Sequence, residues 1–146
     1  MKVPAALLAI GLLAASASSH AFKLIKDDEA GLPAAAPGLS TRAITRGPGI
    51  RVISPDPAQG AVKGAFELKV AFEAHGGAKV DPASVKVTYL KAAPVDLLDR
   101  VKAGLSASGI DLAGAEAPPG DHQIQISVQD TDGRRSTTVL RFSVVK

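Results

Sequence analysis

The strongest constraint in this sequence is a run of strict alternation. Phe66, Leu68, Val70 and Phe72 alternate with Glu67, Lys69, Ala71 and Glu73. Successive side chains of a strand point to opposite faces, so this segment makes one face apolar and leaves the other in water. The same period of two recurs at Val85, Val87 and Tyr89, at Ile124, Ile126 and Val128, and at Thr138, Leu140, Phe142 and Val144. A strand with one apolar face must bury it against a second layer. Turn clusters separate the runs: Ser54-Pro-Asp-Pro57, Ala74-His-Gly-Gly-Ala78, Ala117-Pro-Pro-Gly120 and Asp130-Thr-Asp-Gly133. The pattern predicts an all-β chain, an antiparallel sandwich over residues 48–146.

The last turn can be read in more detail. A two-residue loop at Asp132-Gly133 would pair Ile126 with Val139 and put Leu140 and Phe142 on the wrong face. A three-residue loop at Thr131-Asp132-Gly133 pairs Ile124 with Leu140 and Ile126 with Thr138, so the apolar faces agree. That loop class takes Gly at its last, left-handed position, where Gly133 stands. The expectation is the three-residue loop.

Two segments depart from the strand rhythm. Pro94 to Gly104 predicts a short helix within an insert over 94–112, docked on the sheet by a stripe of Leu97, Leu98, Val101 and, just beyond it, Leu105. A short strand is expected at Ile110-Asp-Leu112. At the N-terminus, Lys2, the apolar run 4–15 and the small residues Ser19 and Ala21 have the layout of a general secretory signal peptide at 1–21, cut before Phe22. Residues 22–47 follow with Pro33, Pro37 and several glycines, and read as an extended, mostly mobile arm rather than core. The chain is then expected in the periplasm or secreted, with no transmembrane segment after residue 21.

Residues 118–133, Pro-Pro-Gly-Asp-His-Gln-Ile-Gln-Ile-Ser-Val-Gln-Asp-Thr-Asp-Gly, followed by Ser136 and Leu140-Arg-Phe-Ser-Val144, resemble the final hairpin of bacterial immunoglobulin-like (cadherin-like) domains. Val80-Asp-Pro-Ala-Ser-Val-Lys-Val87 resembles their third strand and the turn before it. Ser54-Pro-x-Pro and Phe66-x-Leu-x-Val fit the first two strands. The resemblance covers about 48–90 and 117–146; the 94–112 insert departs from it. It implies a fold and a class of roles, as spacer, adhesion, sugar-binding or protein-binding module, and no chemistry.

Composition excludes more than it assigns. With Cys 0 there is no disulfide framework, thiolate nucleophile, cysteine-held metal or lipoprotein anchor. Aromatics are 3% with Trp 0, which argues against platforms that stack sugars or single-stranded nucleic acid. The formal charge is +3 and Arg134-Arg135 is the one basic doublet, with Arg42, Arg46 and Arg51 looser, so nucleic acid is not an expected partner.

The groups able to do chemistry read as structural. His75 lies in a Gly-rich turn, and His122 is in phase with Ile124 and Ile126, placed to cap the sandwich end opposite Phe142. Asp130 and Asp132 resemble the start of a calcium loop, but no distal acid follows and Arg134 and Arg135 come next; Asp121 is the one outside contributor to consider. Asp96, Asp99 and Asp111 are helix-surface or strand-surface acids. Ser84, Ser106, Ser108, Ser127 and Ser136 lack a nucleophile motif, and Gly76-Gly77 and Gly104 form no phosphate loop. No catalytic, cofactor or metal residue is assigned.

The expectation is an exported, non-enzymatic immunoglobulin-like module without cofactor, binding or supporting another envelope component, a protein before a cell-wall glycan and a hydrolase last. A sheet edge, the insert or the arm would carry the contact.

Overall fold

The structure is a computed structural model that describes residues 21–36 and 46–146. All of the expected signal peptide except Ala21 lies outside the described residues, as does 37–45 of the expected arm.

Ten strands are formed among the described residues. They are β1 (Phe22–Lys23), β2 (Gly49–Ser54), β3 (Val62–Lys63), β4 (Phe66–Glu73), β5 (Val80–Tyr89), β6 (Val95–Asp96), β7 (Leu105–Ser106), β8 (Gly109–Glu116), β9 (Gly120–Asp130) and β10 (Arg135–Val145). Two single-turn helices, α1 (Asp27–Ala30) and α2 (Leu98–Val101), complete the chain together with 3₁₀ turns at Pro57–Gln59 and Lys102–Gly104. The strands make two sheets. One runs β1-β8-β4-β2 with β7 also on β8; the other runs β3-β10-β9-β5-β6. They are called the β4 sheet and the β9 sheet below.

The expected alternation sets both inner faces. Phe66, Leu68, Val70 and Phe72 of β4 and Ile110 of β8 are buried, facing Val85, Val87 and Tyr89 of β5, Ile124, Ile126 and Val128 of β9, and Leu140, Phe142 and Val144 of β10. All belong to one apolar cluster. Phe66 and Phe142 bring the sheets together with ring centroids 5.2 Å apart. Gly109 is required where β8 crosses β4: its φ is +141°, and a Cβ there would overlap the Val70 carbonyl oxygen.

The hairpin has the expected register. Ile124 is opposite Leu140 and Ile126 opposite Thr138. The amide of Asp130 donates to the Arg134 carbonyl at 2.9 Å, that of Gly133 to the Asp130 carbonyl at 3.0 Å, and Gly133 has φ +81°. The loop is therefore Thr131-Asp132-Gly133.

Three expectations are corrected. The sheets are mixed, not purely antiparallel: β1 lies parallel to β8 and β3 parallel to β10. A hairpin can only deliver antiparallel neighbours, and these two edge strands reach their partners by crossing from elsewhere in the chain. The 94–112 insert holds only one α-helical turn; it also contains β6 and β7, and β8 begins at Gly109. Too few residues are available to propagate a helix past nucleation, so tertiary packing decides its form. Its apolar stripe does face the sheets: Leu97 and Val101 are fully buried, with Leu98 and Leu105 partly buried against the core.

The third correction concerns the arm. Its described part is built into the domain. Leu24 and Ile25 are 0% and 1% exposed. Both their amides donate to the Glu116 carbonyl, continuing the β1–β8 pairing. The amide of Ala92 then donates to the Pro33 carbonyl at 2.9 Å, and Ala34 bridges Lys91. Two adjacent apolar residues show no period, so the sequence pattern gives no sign of this plug. Leu24→Ala removes a fully buried side chain and should lower unfolding free energy by about 2–5 kcal/mol in urea titration. A loss below about 0.5 kcal/mol would mean that the segment is not part of the core.

Candidate interaction face

The groups singled out by type do not converge. His75 is exposed in the β4–β5 loop, where its carbonyl accepts from Arg134 Nη2 at 3.2 Å. His122 is buried at the other end of β9, opposite Phe142 in the register. Its Nε2 is 2.6 Å from the Pro118 carbonyl oxygen, which can only accept, so Nε2 carries a proton. In the neutral ring Nδ1 then accepts the Tyr89 hydroxyl proton, at 2.8 Å. Burial pushes the Tyr89 hydroxyl above its ordinary pKa, and the nearby Glu29 charge adds to this. Lys91 Nζ stands 5.2 Å over the Tyr89 ring and donates to the Ala30 carbonyl at 3.1 Å. The cluster closes one end of the sandwich.

At the hairpin end, Asp130 is buried. Its Oδ1 accepts the amides of Asp132 and Arg134 at 3.0 and 2.9 Å, and its Oδ2 pairs with Arg134 Nε at 2.9 Å. Burial alone would raise its pKa; these donors and the guanidinium charge outweigh it and hold the carboxyl below its ordinary value. Asp132 also pairs with Arg134. The two acids considered for a cation are thus tied to an arginine. An open cleft of about 610 Å³ lies beside this hairpin, bordered by Arg46, Gly47, His75 and Arg134.

The remaining acids and serines are scattered. Asp96 Oδ1 accepts the Leu98 amide at 2.9 Å, Asp99 pairs with Lys102, and Asp111 stands opposite Lys69 on the outside of the β4 sheet. Ser84 Oγ bonds the Asp81 and Gln129 carbonyls across the β5 bulge, and Ser106 Oγ accepts the Ser108 amide. Ser136 is buried. Among the described residues no three His, Cys, Asp or Glu side chains are grouped to hold a metal.

The most strongly perturbed acid does structural work. Arg100 of α2 donates through Nη1 to Glu29 Oε2 at 2.7 Å and to the Leu24 carbonyl at 2.9 Å, and through Nη2 to Glu29 Oε1. Glu29 Oε2 also accepts the Lys26 amide. The Arg100 hydrogen bonds, against the opposing effect of burial, lower the Glu29 pKa from 4.5 to about 2.

A difference emerges when the outer faces of the two sheets are compared. The β4 sheet turns Glu67, Lys69 and Glu73 of β4, Asp111 of β8 and Arg51 of β2 to solvent. Arg51 pairs with Glu73 at 2.9 Å, and Lys69 faces Asp111 in register. Charges occupy the middle of that face, and a partner covering it would have to desolvate them.

The β9 sheet is different. Its central strand β9 turns out Gln123, Gln125, Ser127 and Gln129. Across the sheet, Thr88, Gln125 and Val139 form one row, and Lys86, Ser127 and Thr137 the next. Thr137 Oγ1 donates to Ser127 Oγ at 3.3 Å. Val139 is 38% exposed. The charges are at the rim: Lys86, Arg135 and Arg141, with Asp81 opposite Gln129, Asp96 beside Thr88 and Asp121 bonded to Ser143. Uncharged polar groups are far cheaper to desolvate than charges, so this centre would cost less to cover than that of the β4 sheet. At one corner the insert rises beside β5 and forms a groove of about 560 Å³ lined by Lys86, Thr88, Pro94, Asp96, Gln129 and Arg135. The sequence signal for this face is that β9 carries glutamine at outward positions where β4 carries glutamate and lysine.

Comparison of the chain with protein-family models, with curated proteins and with solved structures found no match.

The Glu29–Arg100 pair has a direct consequence for stability. A carboxyl whose pKa is depressed on folding stabilises above its unfolded value and loses that contribution as pH falls toward the folded one. The window here runs from about pH 4.5 down to about 2. With Glu29 12% and Arg100 23% exposed, Glu29→Gln should cost about 2 kcal/mol at pH 7 and less at pH 3. Urea titrations at the two pH values check this; an equal loss at both would contradict it.

Proposed function

We propose that this chain is an exported, non-enzymatic module with an immunoglobulin-like sandwich that binds another component of the cell envelope through the outer face of its β9 sheet. The observation that carries the reading is the contrast between the two faces. The fold turns a face with charges at its centre to one side and a face with an uncharged centre of glutamine, serine, threonine and valine to the other. Both consist of exposed strands in one domain, so the fold alone does not account for the difference in charge.

The strand order supports the immunoglobulin-like reading. One sheet is built on β4 with β2 and β8, the other on the β5, β9 and β10 series, and β3 joins β10 in parallel after the chain leaves β2. This agrees with the resemblance of 48–90 and 117–146 to such domains. A protein partner is favoured over a glycan because Tyr89 and Phe142, the aromatic residues nearest this face in sequence, are turned into the core. Export rests on the signal-like segment; cleavage after Ala21 would leave Phe22, the first residue of β1, as the new N-terminus.

A photo-crosslinking residue placed at Gln125 should give discrete adducts in expressing cells, and one at Lys69 on the opposite face should not. Adducts at Lys69 alone, or none at Gln125, would refute the reading. The exported protein should begin at Phe22 by N-terminal mass spectrometry; a retained leader would contradict the processing step.

A further inference from the structure

We infer that the corner of this face between Lys86 and Arg135 seats an acidic side chain of a protein partner. The inference rests on the interaction-face reading above and names the chemistry of what binds there. Lys86 on β5 and Arg135 on β10 flank the central strand, opposite Ser127 and Gln129 respectively. Both are exposed and line the same groove. Among the described residues neither makes an ion pair, in contrast to Arg51, Arg100 and Arg134. The one carboxylate lining the groove, Asp96, already accepts the Leu98 amide.

Charge complementarity therefore selects the occupant. Within the groove Lys86 and Arg135 stand against Asp96 alone, an excess of positive charge, while on the wider rim Arg141 is set against Asp81 and Asp121. An acidic glycan would find the cations but no aromatic side chain among the residues that line the groove. A peptide with Asp or Glu beside small uncharged residues satisfies both parts: its carboxylate meets the Lys86 and Arg135 heads, and its backbone meets the Gln and Thr side chains.

The test is ¹⁵N NMR titration of the full chain with octaglutamate, octaglutamine and a galacturonic-acid trimer as probes. Octaglutamate should shift the amides of Lys86, Ser127, Gln129 and Arg135, and octaglutamine should not. The apparent affinity should fall about fivefold or more in Lys86→Glu/Arg135→Glu, and it should also weaken on raising salt from about 50 to about 300 mM. Lys86→Gln/Arg135→Gln, which removes charge without reversing it, should show the same direction and guards against misfolding of the first variant. The inference is overturned if octaglutamate shifts map elsewhere or persist in both variants, or if the galacturonate trimer shifts the same amides as strongly. Broadening of these amides with protein concentration alone would overturn it in favour of self-association. If Gln125 adducts form in cells while octaglutamate has no effect, the seat is wrong and the interaction face stands; absence of those adducts removes the face itself.

Discussion

The register of the β9–β10 hairpin decides what is inside this protein and what is outside. Asp130 fixes it. Its buried carboxylate takes the two loop amides and the Arg134 guanidinium, so three residues, not two, make the turn. A slip by one residue would exchange the two faces. With β9 kept in place, Leu140 and Phe142 would leave the core, and Val139 and Arg141 would enter it. The core and the candidate face are thus two results of one turn. Arg134 extends the constraint to the other sheet by binding the His75 carbonyl in the β4–β5 loop.

At the opposite end the sandwich is closed by parts distant in sequence. Leu24 and Ile25 fill the opening, Arg100 holds them through Glu29 and the Leu24 carbonyl, and Lys91 bonds the Ala30 carbonyl beneath Tyr89. The buried Tyr89–His122–Pro118 chain has its polar atoms partnered, as a polar group in an apolar core must. A chain without disulfides holds both ends with buried or half-buried ion pairs and a continuous apolar core. Of the titratable groups that might suggest chemistry, His122, Asp130 and Asp132 are used in this closure.

What could be read from the sequence follows from how locally each feature is encoded. The strands β4, β5, β9 and β10 are written in their own alternation, and the hairpin loop follows from matching two such patterns across Gly133. The plug at Leu24–Ile25 has no period, because two residues between a proline-rich segment and the signal-like leader display none. The parallel pairings of β1 with β8 and β3 with β10 depend on crossings that no local pattern records. The insert's stripe was legible as apolar, but its form was set by packing. The candidate face lies between these cases. Its residues were visible as the wet positions of β9 and β10, but its meaning required a second face for comparison and the register that aligns Gln125 with Thr88 and Val139.

We propose that the centre of the β9 face is kept uncharged because a partner covers it. The most direct measurement compares two single-lysine variants for retention in the cell-envelope fraction: Gln125→Lys at the centre of that face and Ala71→Lys on the outer face of the β4 sheet. Both positions are partly exposed on strands flanked on both sides by others, so thermal stability should change little in either. Gln125→Lys should be lost from the envelope fraction while Ala71→Lys is retained. Equal retention of the two, with both folded, would contradict it.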